Sequence, residues 1–163
     1  NLLRVGEEAL SVSITEELLK FLVVFLIIYP NKNFDEPFDV IVYSVFVGLG
    51  FVTAENLTFV MQGSSSLALL RMVSAIRAHF VFVVIMGYYL GKAKSSDKSK
   101  VLYIFLSLLI PVIFQALYDY FLFLDFIPGI WLGVIGKLLL ALYISKNSIV
   151  SDLKASPFNK NKN

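Results

Sequence analysis

From Ser13 to Tyr29 the chain reads SITEELLKFLVVFLIIY, unbroken hydrocarbon from Phe21 onward after a turn that carries Glu16, Glu17 and Lys20. One helix over 10–29 would be roughly 20 residues and 30 Å long, the thickness of a bilayer core. It would place these three charges inside the membrane, at a cost on the order of 2.5–3.5 kcal/mol each near a helix centre. Charges kept there face a bundle interior and have a partner or a task. Glu16 and Lys20 are four residues apart and can meet on one face, whereas Glu17 points about 100° away. The lysine is therefore expected to hold Glu16 and to leave Glu17 for other work.

The rest of the chain repeats this apolar character. It has 163 residues, 58% of them hydrophobic, and no cysteine, with a mean hydropathy of +0.78. A soluble domain of this size has too little interior for that content, so the class is an all-α, polytopic transmembrane helix bundle. Without cysteine there is neither a disulfide nor a thiolate metal site. Spanning candidates number about five by length and composition: 10–29, 38–61, 67–91, 101–124 and 127–145. Residues 1–145 form the membrane bundle and 146–163 a polar, lysine-rich tail. The chain begins at Asn1 rather than at a methionine, which points to a trimmed sequence with a start segment or further spans before it.

Lysines concentrate in GKAKSSDKSK (91–100) and in the tail. The positive-inside rule puts both on the cytoplasmic side, because an even number of spans separates them. With that topology, depth can be counted inward from the outer end of each helix at about 1.5 Å per residue. Asp119 falls at about 8 Å, Glu55 at about 9 Å, Glu16 and Glu17 at about 10 Å, Gln115 at about 14 Å and His79 at about 18 Å. Polar residues on four helices thus share one leaflet, which predicts a single polar chamber. Gly48 and Gly50, and Gly129, Gly133 and Gly136, would let backbones approach closely around it.

Carboxylates, an imidazole and amides in a desolvated chamber can activate water and stabilise an oxyanion, or bind a divalent metal that does both. A proton-coupled transporter would use similar residues. Each residue also has a plain structural reading. Glu16 and Lys20 would be a neutralising pair, Glu55, Asn56 and Asp119 interfacial groups, His79 a histidine bonded to a backbone carbonyl, and Arg77 a snorkelling side chain.

The ordered set Glu16-Glu17-x-x-Lys20, FDEPFD (34–39), Tyr43, GLGF (48–51), Glu55-Asn56, Arg77 with His79, and ALYDYF (116–121) resembles the PrsW family of polytopic membrane proteases. That family is similar in its core to the CAAX prenyl proteases and to a subunit of gamma-secretase. The resemblance covers about 10–145. It implies intramembrane or membrane-proximal peptide hydrolysis, with Glu16 and Glu17 as the essential carboxylates and Glu55, Asn56 and His79 completing the site. Lys20, Arg77 and Asp119 would support it. The implied substrate is a single-span membrane protein or membrane-associated peptide, such as an anti-sigma factor, and the implied home is a bacterial cytoplasmic membrane. No nucleic-acid partner is expected.

One departure stands out. The family pattern has a second histidine where this chain has Gln115, four residues before Asp119. Glutamine hydrogen-bonds but takes no proton near pH 7 and is a poor metal ligand. An engineered disabling change, a natural variant in which Gln115 polarises a carbonyl, and a pseudoprotease all remain open. In the expected mechanism Glu16 or Glu17 takes a proton from water, while His79, Asn56 and Gln115 polarise the scissile carbonyl. The rival is a metal version with Glu17, Glu55 and His79 on a cation such as zinc. Outside catalysis, a scaffold like the gamma-secretase subunit and a proton-coupled transporter stay open.

Overall fold

The computed structural model describes residues 1–31, 36–61, 66–96, 98–124, 143, 145–147, 149–151 and 154. All regular elements among them are helical: α1 (Leu2–Val23), α2 (Pro37–Met61), α3 (Ser66–Ser95) and α4 (Lys100–Phe123). A π-helical turn, Val24–Ile28, continues α1, its widened ladder marked by Tyr29 N–H donating to Val24 O at 2.9 Å. The spans expected at 38–61, 67–91 and 101–124 correspond to α2, α3 and α4. The first helix begins eight residues before the expected 10, because Arg4, Glu7 and Glu8 bar a segment from the bilayer core but not from a helix. The fifth candidate, 127–145, with Gly129, Gly133 and Gly136, lies outside the described residues except at 143 and 145. There the Ser145 hydroxyl donates to Val81 O at 3.5 Å, setting the end of that segment against α3.

Among the described residues, three helices are long and apolar enough to cross a membrane: Pro37–Thr58, Ser74–Ser95 and Lys100–Phe123. This is an integral membrane protein. In α1 the charges of Glu16, Glu17 and Lys20 interrupt the apolar run. Within the α3 span 67% of the residues are buried, against 28% in α2 and in α4. That makes α3 the central helix, with the other two showing apolar faces outward. It packs on both α2 and α4, and α4 packs in turn on α1.

Close approach of α2 and α3 depends on absent side chains. A Cβ on Gly87 would lie 2.7 Å from Ile41 Cα, one on Gly91 2.6 Å from Pro37 O, and one on Gly48 2.6 Å from Val83. In lipid, where burial of apolar surface drives little helix association, such van der Waals contact holds helices together. Gly48 thus has the role expected of it. Gly50 does not, since nothing lies within 4 Å of where its Cβ would be; two residues along a helix turn it about 200° from Gly48. Around these contacts, Phe21, Val24, Ile28, Val40, Met86 and Leu90 form one buried cluster. Ala78, Val81, Phe82, Ile85, Tyr118 and Leu122 form another between α3 and α4.

At one end of the bundle Lys94 Nζ donates to Asn31 O at 2.9 Å, tying the end of α3 to the exit of the first helix. Asn31 and Lys94 therefore share that end.

Candidate active site

The polar residues of α1 to α4 come together where these helices meet. Lys20, fully buried, is the hub. Its Nζ lies 2.6 Å from Glu17 Oε1, 2.8 Å from His79 Nδ1, 3.5 Å from Gln115 Oε1 and 3.9 Å from Glu16 Oε2. It also lies 4.8 Å from the centre of the Phe51 ring, within cation–π range. A lysine without solvent requires such company, because an unpaired buried ammonium is prohibitively costly.

The pairing of the first helix differs from the sequence expectation. Lys20 bonds Glu17 closely and Glu16 only at the limit of an ion pair. Residues three apart are helical neighbours as surely as residues four apart, and the tie is broken by what each carboxylate meets elsewhere. Glu16 Oε2 accepts from Gln115 Nε2 at 2.6 Å and lies 3.9 Å from His79 Nε2. Glu17 is 0% exposed; its Oε2 is buried with no hydrogen-bond partner among the described residues.

His79 is the second junction. Its Nδ1 faces Lys20, while Nε2 lies 3.4 Å from Glu55 Oε2. Phe51 stacks beside the imidazole at 6.2 Å and Phe82 packs at 6.1 Å, fixing the ring's position. The side chains of Glu16 and Glu55 retain 18% and 26% exposure, whereas Glu17 and Lys20 have none. Two carboxylates and one edge of the histidine thus line the accessible side of the chamber, with an ion pair behind them.

Donor atoms of Glu16, Glu55 and His79 lie within 4.8 Å of one another. Donors about 2.0–2.1 Å from a tetrahedral zinc are about 3.3 Å apart; the Nε2–Glu55 distance of 3.4 Å matches that spacing and the Nε2–Glu16 distance of 3.9 Å exceeds it, so the three side chains would have to draw in slightly to hold a divalent cation. The ligand set expected from the sequence has Glu17 in place of Glu16; the group drawn together here has Glu16, because Glu17 is turned to Lys20. Three carboxyl groups against one ammonium also leave the cluster short of positive charge, which a proton or a metal cation would supply.

The remaining expected residues spread out. Asp119 is buried on α4 and accepts from the Ser13 hydroxyl at 3.3 Å, extending the polar seam between α1 and α4. Asn56 is 8% exposed, with no hydrogen bond among the described residues. Arg77 is exposed and forms no ion pair among the described residues, since two residues along α3 turn it about 200° from His79. Phe51 and Ser13 carry no role in the sequence reading. Helical spacing is the signal for both: Phe51 is four residues before Glu55, and Ser13 four before Glu17, so each shares a face with a site carboxylate.

Residues 4–145 match the model of a family described as PrsW family intramembrane metalloprotease. The chain is 37% identical over 129 residues to Protease PrsW of Geobacillus kaustophilus, covering 79% of this chain and 57% of that protein. It is 40% identical over 114 residues to Protease PrsW of Bacillus subtilis, covering 69% and 52%. With Protease PrsW of Clostridioides difficile it shares 37% identity over 119 residues, covering 69% and 50%. The chain thus spans about half the length of the curated relatives it matches. No solved structure matches it.

Proposed function

Because the chain belongs to the PrsW family of intramembrane metalloproteases, we propose that it carries the active site of a membrane peptidase that hydrolyses peptide bonds within or beside the bilayer. The observation that carries this reading is the convergence of Glu16, Glu55 and His79 from three helices onto the accessible side of a buried polar chamber.

In this reading Glu16 is the proton acceptor for the attacking water, since it is the partly exposed member of its pair. Glu55 shares that work from the opposite helix. His79 Nε2, between the two carboxylates, faces the reacting groups. Asn56 and Gln115 supply amides that can polarise the scissile carbonyl. Glu17 and Lys20 form a buried ion pair that holds the constellation from behind. Glu16, Glu55 and His79 are the residues that would hold a divalent metal such as zinc, whose chemistry when bound is carbonyl polarisation and activation of water.

Gln115 has a specific consequence. Its amide donates at 2.6 Å to the Glu16 oxygen that also faces His79, so it restrains the proposed base without being able to exchange a proton. We assign it a restraining effect on hydrolysis, and it is also the feature that favours the non-catalytic scaffold as the second reading.

The substrate would be a single-span membrane protein or membrane-associated peptide such as an anti-sigma factor. Its helix must unwind locally, because helical carbonyls are hydrogen-bonded and shielded. The setting is a bacterial cytoplasmic membrane with the lysine-rich tail in the cytoplasm. The test is cleavage of a panel of single-span substrates in liposomes by this chain, by Gln115→His, and by Gln115→His with Glu16→Gln, each with and without a chelator. Cutting that appears with Gln115→His and disappears with Glu16→Gln supports the reading. No cutting by any folded version refutes it in favour of the scaffold.

A further inference from the structure

We propose that Lys20 is a positioning residue that fixes the tautomer of His79, leaving Nδ1 without a proton and Nε2 with one, on the side of the ring near Glu55 and Glu16. An ammonium has three donors and no acceptor. Lys20 Nζ spends them on Glu17 Oε1 at 2.6 Å, His79 Nδ1 at 2.8 Å and Gln115 Oε1 at 3.5 Å, and the side chain is fully buried. Nδ1 therefore accepts. A neutral imidazole that accepts at one nitrogen carries its proton on the other, and the hydrogen bond made at one edge decides the state of both. At the opposite edge carboxylate oxygens of Glu55 and Glu16 lie near Nε2, at 3.4 and 3.9 Å, without a formed hydrogen bond to it among the described residues. Phe51 and Phe82 pack beside the ring, with centroids at 6.2 and 6.1 Å.

Two consequences follow for the chemistry, and these rest on the peptidase reading above, although the tautomer does not. First, His79 presents a hydrogen-bond donor to the chamber, so the proton acceptor for water is a carboxylate. Second, Lys20 sets the site's affinity for a metal. A cation bound to Nε2 needs the lone pair there and the proton on Nδ1, where metal-binding histidines ordinarily donate to a carboxylate or a carbonyl. Lys20 places a donor and a positive charge at that position. A metal held by Glu16, Glu55 and His79 Nε2 would therefore compete with the Lys20–His79 contact.

The chain contains a single histidine, so its tautomer can be read without assignment ambiguity. Histidine labelled with ¹⁵N, in the full chain in detergent micelles, should show Nδ1 at the shift of an unprotonated nitrogen and Nε2 at that of a protonated one. Lys20→Arg should keep this pattern and Lys20→Met should lose it. Zinc affinity, measured by competition with a chromophoric chelator, should rise roughly 10- to 100-fold in Lys20→Gln, whose amide oxygen can accept from Nδ1–H. A protonated Nδ1 in the wild-type spectrum overturns the proposal, as does an unchanged pattern in Lys20→Met or an unchanged zinc affinity in Lys20→Gln. Should Lys20→Met fail to fold, the wild-type spectrum decides. None of these readouts needs a cleaved substrate, so a failed peptidase assay leaves this inference standing and a wrong tautomer leaves the peptidase standing.

Discussion

Removing the charge from Glu17 while keeping its shape should destabilise the bundle severely, and removing both charges of its ion pair should restore it. Glu17 and Lys20 are each 0% exposed, with 2.6 Å between oxygen and nitrogen. At an effective dielectric of 20 their gross attraction is about 6 kcal/mol, and that between Lys20 and Glu16 at 3.9 Å is about 4 kcal/mol. Glu17→Gln leaves Lys20 with the weaker partner only. Stranding one member of a buried pair costs about 3–5 kcal/mol, and the surviving Glu16 contact places this case near about 3 kcal/mol. Lys20→Met strands Glu17 instead and should cost a similar amount. The double variant removes both desolvation costs along with the attraction, and neutral replacement of a buried pair is often tolerated or stabilising by about 1–4 kcal/mol. Unfolding of the four proteins in mixed micelles, read as a double-mutant cycle, should give a coupling of about 3 kcal/mol or more. Additive losses in the double variant, or a Glu17→Gln protein as stable as wild type, would refute the assignment of these two residues as a structural ion pair behind the site.

Other outcomes follow from the same geometry. Gln115→His should raise substrate cleavage by roughly 100-fold or more, the scale of a positioned acid–base group, in a liposome assay; equal rates would remove Gln115 as a restraint. Gly87→Ala should cost roughly 1–3 kcal/mol by overpacking against the Ile41 backbone, while Gly50→Ala should be nearly neutral, and thermal unfolding distinguishes the two. Arg77→Ala should change stability by no more than about 0.5 kcal/mol and leave cleavage by the Gln115→His protein intact, since Arg77 is exposed and unpaired among the described residues. A large loss of activity there would mean that the residue reaches the substrate.

How far the sequence carried can be judged residue by residue. Spans α2, α3 and α4 were legible because hydrophobic length is a strong signal when the solvent is lipid. Glu16, Glu17, Glu55, His79 and Gln115 were legible as one polar cluster because helix rise turns position into depth, while Asp119, placed at the same depth, meets Ser13 instead. Partner choice within the chamber was not. Whether Lys20 takes Glu16 or Glu17 depends on what Gln115, His79 and Glu55 offer from other helices, and no spacing on α1 contains that. Gly87 and Gly91 stand four apart, a spacing that marks helix contacts in membranes, so the α2–α3 contact was readable there as well as at Gly48. Arg77 and Gly50 show the limit of proximity in sequence: each stands two positions from a residue that matters and faces away from it.

The most direct measurement is mass spectrometry of a single-span substrate incubated in ¹⁸O-labelled water with the Gln115→His protein and with its Glu16→Gln derivative. The account predicts a new C-terminal carboxylate carrying ¹⁸O in the first reaction and intact substrate in the second. Intact substrate in both, with each protein folded, would contradict hydrolysis at this site; labelled product in both would contradict the role given to Glu16.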